Sequence, residues 1–193
     1  MAQNANNIEV GAGRIWIGGV VPTTGTPPSL SVHTSGVPST PQTGFTEVGH
    51  TFGDSVFSTG GTYQDIESEQ AFGIVDTYVD SQMCELTFVA QERVYLLLKT
   101  LFDGVGTVTD GSKHLFYGGG PFTVASQVVM LTAQQRKAPT KWETLTIYKA
   151  QSVSGIKLTY SRKNVGRYEV KMRGVHDTSR SVGDQLYQFV REL

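Results

Sequence analysis

The sequence predicts a mainly β protein: an antiparallel β-sandwich or barrel-like subunit with one flanking α-helix at about 91–102 and long loops. Three observations predict it. Aromatic and β-branched residues alternate with polar ones along much of the chain, the pattern of strands with one buried and one wetted face. Glycine is abundant, 22 of 193 residues, and punctuates short apolar runs as turns do. Only one segment has helical spacing: in QERVYLLLKTLFDG (91–104), Val94, Leu97, Leu98 and Leu101 fall at i, i+3, i+4 and i+7.

Taken in order, GRIWIGG (13–19) reads as the first strand. The segment 21–44 holds five of the seven prolines and many Ser and Thr, so it can bury little and reads as an extended surface loop. FTEVGHTF (45–52) reads as a second strand. Residues 53–82 combine glycines, acids and isolated apolar residues, which predicts a long acidic loop with a hairpin in it. MCELTFV (83–89) is a strand whose Cys84, Leu86 and Phe88 share a face, making Cys84, the one cysteine, a buried and inert thiol. In 91–104, Glu92 near the start and Lys99 near the end suit the helix dipole, and Gly104 is a plausible stop. The leucine face should cap one open side of the sandwich.

Strands follow at 120–135, 143–153, 155–162 and 166–175. The last two read as an antiparallel hairpin. In it Ile156, Leu158, Tyr160, Tyr168, Val170 and Met172 lie on the buried side, against Lys157, Glu169, Lys171 and Arg173 outside. The length suits a single domain over 1–193, no repeat divides it, and 176–193 is not assigned to an element.

The net charge of −1 conceals a split. Residues 1–92 carry ten Asp and Glu against one Arg; residues 93–193 carry seven against fifteen Lys and Arg. Between Arg14 and Arg93 there is no Lys or Arg at all. Two readings stand. In one, acidic and basic surfaces are neighbours within the fold. In the other, an acidic patch meets a basic patch on the next copy, and such head-to-tail contacts build rings or filaments. A third use of a basic half is nucleic-acid binding. Arg162, Lys163 and Arg167 cluster at the tip of the 155–175 hairpin, but Tyr160 and Tyr168 lie on its apolar face, so they read as core tyrosines rather than base-stacking platforms.

Catalytic and ligand-binding motifs are not evident. There is no G-x-S-x-G elbow and no P-loop. GAGRIW (11–16) lacks the third glycine and the helix of a dinucleotide site. His33, His50, His114 and His176 are not at metal-ligand spacing. Asp65, Glu67 and Glu69 alternate like calcium ligands but lack the rest of an EF-hand, so they read as a solvated or partner-facing ridge. The expectation is therefore a non-enzyme without cofactor or metal. The start of the chain has no basic, apolar signal-peptide pattern, and no apolar run reaches the ~20 residues of a membrane span, so folding in a cytoplasm is expected.

The order of elements resembles the tail tube proteins (major tail proteins) of long-tailed bacteriophages. GFTEVGHTFGDSVF (44–57) is similar to that family's early strand and turn, IESEQAFGIVDTYVD (66–80) to its long loop, and CELTFVAQERVYLLLKTLF (84–102) to the strand that enters its helix. The resemblance spans about 8–175 and is one of element pattern. It implies a β-sandwich with one helix, assembled as hexameric rings whose strands join across subunits around a lumen, with rings stacked by the long loop. It further implies self-association, tape-measure and tail-terminator partners, DNA only as cargo in the lumen, no membrane, and a place in the virion tail after assembly in the host cytoplasm. On this resemblance Asp65, Glu67, Glu69, Asp76 and Asp80 are expected at the contact between rings, with Arg162, Lys163 and Arg167 as the basic partner surface. Other β-rich virion subunits (a tail terminator, a decoration protein, a contractile-system tube) and a nucleic-acid-binding module are the alternatives.

Overall fold

The computed structural model of the chain describes residues 13–18, 44–68, 73–101, 107–110, 113–116, 126–134, 141–154 and 166–191. The strands are β1 (Arg14–Gly18), β2 (Phe45–Glu47), β3 (Val56–Ser68), β4 (Gly73–Ala90), β5 (Thr107–Asp110), β6 (Lys113–Phe116), β7 (Gln127–Gln134), β8 (Trp142–Ser152), β9 (Tyr168–Gly174) and β10 (Tyr187–Arg191). The helix α1 (Tyr95–Leu101) lies between β4 and β5. The fold is mainly β. One antiparallel sheet runs β2-β1-β7-β8-β9-β4-β3, with β10 also on β8, and it does not close on itself; β5 and β6 pair separately.

Strand β8 organises the sheet. One edge pairs with β7 along Gln134↔Trp142 to Gln127↔Ala150. The other edge is shared: β10 takes Glu143–Ile147 and β9 takes Ala150–Ser152. Two strands cannot occupy one edge side by side, so β9-β4-β3 diverges from β10 and the two parts come to face each other. Phe57 of β3 and Tyr187 of β10 meet edge to face there, 5.2 Å between ring centroids.

The alternation in the sequence decides which faces are buried. In β9, Tyr168, Val170 and Met172 are buried and Glu169, Lys171 and Arg173 point outward. Their register partners Phe88 and Leu86 are buried with Cys84 and Ala90. Ile15, Ile17, Val129 and Ile147 from other strands, Leu186 just before β10, and Leu97 and Leu101 of the helix join the main core. On the opposite face of β1 and β7, Trp16, Phe45 and Met130 form a smaller cluster, where the Trp16 indole N–H donates to Thr132 Oγ1 at 3.2 Å. Buried on both faces, β1 reads as an unbroken apolar run.

Several expectations change. The strand expected over 45–52 is β2 plus an isolated Thr51↔Ala90 bridge. The segment expected as a long loop over 53–82 is mostly strand, because β3 and β4 pair from Val56↔Thr87 out to Ser68↔Gly73. The helix begins at Tyr95, later than expected, and has no acid in its first turn. Glu92 is spent before it: one carboxylate oxygen accepts His50 N–H at 3.1 Å, and its carbonyl accepts the Tyr168 hydroxyl. Leu97, Thr100 and Leu101 are the buried helical residues, and Val94 and Leu96 pack against the core. Leu98, expected on the packing face, is only half-buried. The 21–44 loop, apart from Gly44, and the strand at 155–162 lie outside the described residues.

The unassigned C-terminal segment supplies β10, and a charged knot holds the turn before it. The Arg180 guanidinium stacks on the Tyr148 ring at 3.5 Å and lies 3.4 Å from Asp177 and 3.3 Å from Asp184. The Tyr148 hydroxyl donates to Asp184 at 2.6 Å. Burial first, and then that carboxylate, push the Tyr148 phenol well above its ordinary range.

Candidate assembly surface

The most distinctive surface is the outer part of the β3–β4 hairpin. Its base belongs to the sheet, because β4 pairs with β9 from Ala90↔Tyr168 to Glu85↔Arg173. Beyond Glu85 the β9 ladder stops, and 60–68 and 73–82 continue as a two-stranded arm with no third strand among the described residues. Local cross-strand bonds hold it. Thr77 Oγ1–H donates to Asp65 at 2.7 Å, the Tyr78 hydroxyl to Gln64 at 2.7 Å, and Ser81 Oγ–H to Thr62 at 3.1 Å. The register shifts between Thr62 and Tyr63 and again between Ile66 and Glu67, which strengthens the ribbon's twist.

Both faces of the arm carry exposed apolar side chains. Tyr63 is 63% exposed and Ile74 60%, and Ile66, Val75, Tyr78, Val79 and Met83 are exposed with them. An isolated two-stranded ribbon is marginal in water, and apolar side chains grouped on one projection mark a place where another surface binds. No described strand pairs with the outer edge of β3, and its sequence VFSTGGTYQDIES has neither the Lys nor the Pro that commonly blunts such an edge.

The sequence-predicted contact residues fall on this arm in part. Asp65 lies on β3, Asp76 and Asp80 on β4, all exposed and in no ion pair with a described residue. Glu67 is in β3 opposite Ile74, and Glu69 lies outside the described residues. Asp76 Oδ1 accepts the backbone N–H of Thr77 at 2.8 Å, an internal contact that leaves its charge uncompensated. At the base the situation reverses. Glu85 is flanked by Lys171 at 2.8 Å and Arg173 at 3.5 Å, and the Lys171 hydrogen bond above all holds its carboxyl below the usual range. Among the described residues the charge split is thus answered within the fold at Glu85 and not at Asp65, Asp76 or Asp80.

Of the expected basic surface, Arg162 and Lys163 lie outside the described residues. Arg167 precedes β9, exposed, with its guanidinium 3.4 Å over the Phe52 ring. Sequence reasoning missed the pairing of Lys171 and Arg173 with Glu85, and it missed the exposed apolar residues of the arm. The signal available for the latter was IVDTYV (74–79), rich in β-branched and aromatic residues inside a segment otherwise read as loop.

No protein-family model matches the chain, and no curated protein matches it. Its chemistry is therefore read from its own side chains. Cys84 is fully buried, and burial pushes its thiol up to about 11, far from a reactive thiolate. Burial likewise raises the Tyr168 phenol to about 12. Among the described residues no three His, Cys, Asp or Glu side chains come together as a metal site, and no helix is long and apolar enough to cross a membrane.

Proposed function

We propose that the chain is a structural, non-enzymatic subunit that assembles with itself into stacked rings, forming the hollow tail tube of a long-tailed bacteriophage. One observation carries the reading: an arm projecting from the sheet exposes apolar side chains on both faces, a strand edge that no described strand pairs with, and Asp65, Asp76 and Asp80 in no ion pair with a described residue. A monomer in water gains nothing from such an arm. A polymer buries it at every subunit. The resemblance of element order to tail tube proteins supplies the kind of polymer, and the −9 and +8 halves supply its head-to-tail polarity. In this reading DNA passes through the lumen as cargo, and tape-measure and terminator proteins set length and end.

Negative-stain electron microscopy of the concentrated protein tests it. Long hollow tubes are expected. Isolated rings or trimers would favour a terminator or decoration protein instead. A protein that stays monomeric and binds DNA with steeply salt-dependent affinity would overturn the reading in favour of a nucleic-acid-binding module.

A further inference from the structure

We propose that residues 176–191 form an acid-released strap: when Asp177 and Asp184 lose their charge, the buried Arg180 is left without those two carboxylates, and β10 comes off β8 while the rest of the sheet stays folded. The inference does not depend on what the chain assembles into.

The strap has little apolar hold. In 176–191 only Arg180 and Leu186 are buried. Leu186 joins the main core and Tyr187 packs against it, but no residue of β10 itself is fully buried. The ladder from Tyr187↔Ile147 to Arg191↔Glu143 engages one edge of β10, and no described strand pairs with the other. Strand β10 can therefore leave without breaking another strand pair. Segments with few buried apolar contacts open separately from the core.

Charge supplies the rest of the hold. The Arg180 side chain is 4% exposed, and a buried cation is costly once an opposite charge facing it is removed. The turn around it is closed by backbone: Asp177 N–H donates to the Gln185 carbonyl at 2.9 Å, and Gln185 Nε2 donates to the Arg180 carbonyl at 3.2 Å. The knot thus fixes the point from which β10 starts. On β8, Lys149 acts on Asp177, and the Tyr148 phenol stays neutral, so it cannot replace a carboxylate. In the turn His176 meets Gln185 at 3.4 Å, and at the far end Arg191 lies 3.1 Å from Glu143. Of these groups only Asp177, Asp184 and Glu143 are carboxylates, so acid leaves a cluster of like charge.

The direction of the pH effect follows from Asp177. The Ser179 hydroxyl and backbone N–H both donate to it, and with Lys149 and Arg180 they hold its carboxyl below the usual range. Its contribution is complete above the ordinary aspartate value of about 3.9 and is lost as pH falls through the lower, folded value. Release therefore belongs below about pH 4.

Hydrogen exchange at neutral pH tests the device without acid. Asp177→Asn with Asp184→Asn removes both charges and keeps the size of each side chain. Amides of 185–191 should exchange at least about tenfold faster than in wild type, and those of Tyr168–Gly174 within about twofold. Adding Arg180→Met removes the cation, and protection of 185–191 should recover several-fold over the double variant. In wild type, pepsin at about pH 3 should cut near Leu186–Phe189 while a fragment ending after β9 persists, and at about pH 5 it should not. That cleavage assay carries the test alone if the double variant does not fold. Three results would overturn the inference: Tyr168–Gly174 losing protection together with 185–191, no recovery with Arg180→Met, or pepsin cutting the strap equally at both pH values.

Discussion

Lys171 Nζ lies 2.8 Å from Glu85 Oε1 across the β4–β9 ladder, and Arg173 approaches the other carboxylate oxygen at 3.5 Å. Two cations on one carboxylate lower its folded pKa below the ordinary value of about 4.3. The sign of the pH effect follows. The stabilisation is complete above the unfolded pKa and is lost as pH falls through the lower, folded one. Because the cations are partly exposed, Glu85→Gln should cost only about 0.5–1 kcal/mol at neutral pH. The difference between variant and wild type should shrink as pH drops below about 4. Urea denaturation of both proteins at neutral pH and at about pH 3 measures it.

The helix is anchored by Leu97, which is fully buried, rather than by Leu98, which is half-buried. Leu97→Ala should cost about 2–5 kcal/mol, the range for a buried leucine whose cavity does not collapse, and Leu98→Ala distinctly less. Chemical denaturation of the two variants, side by side, reverses the assignment if Leu98→Ala proves the more damaging.

Much of the fold is legible in the sequence where one face is buried and the other wet. YEVKMRG (168–174) and CELTFVA (84–90) show their buried sides by simple alternation, and both strands form with those faces inward. Legibility fails where burial does not follow a period. The spacing of Val94, Leu97, Leu98 and Leu101 fits a helix begun about four residues before the real one, since Glu92 looks like a first-turn acid until its contacts with His50 and Tyr168 are seen. The arm is illegible for a different reason. Its strands bury neither face, so no alternation marks them, and two register shifts disrupt what pattern remains. The C-terminal segment depends on Tyr148 meeting Arg180 and Asp184, a long-range contact with no local signature.

Gly174 and Cys84 are matched in volume. A Cβ on Gly174 would overlap Cys84 Sγ and come within 3.1 Å of Ile147 Cγ2. Gly174→Ala should therefore cost about 1–3 kcal/mol by overpacking. Adding Cys84→Ala removes the obstructing sulfur, so the double variant should be more stable than the sum of the single costs predicts. A double-mutant cycle by thermal denaturation checks this; strict additivity would mean the strands simply move apart.

The same burial predicts the chemistry of Cys84. Its thiol is shielded and is raised to about 11, so in the folded protein it should resist a water-soluble disulfide reagent at neutral pH. Reaction should proceed only as fast as the sheet opens, and should be complete at once in denaturant. Rapid labelling under native conditions would show β4 and β9 separating far more often than a core ladder does.

The arm should matter to assembly and hardly at all to folding. Tyr63, Ile74 and Val75 touch water rather than the core, so Tyr63→Thr, Ile74→Thr and Val75→Thr together remove apolar surface while keeping residues that favour strands. The melting temperature should stay close to wild type, because surface changes of this kind fall within about 0.5 kcal/mol each. In an assembled tube the loss recurs at every subunit, at about 25 cal/mol for each Å² no longer buried. The threshold concentration for assembly should rise at least about tenfold, since 1.4 kcal/mol per contact suffices for that. The salt response separates this effect from the charges. Carboxylate reversals on the arm act through a field that salt screens within about 8 Å, whereas loss of apolar area persists at high salt and grows no smaller there. Sedimentation of the triple-threonine variant at low and high salt makes the comparison. Tubes forming at the wild-type concentration in both conditions would show that the exposed faces of the arm are not where copies meet.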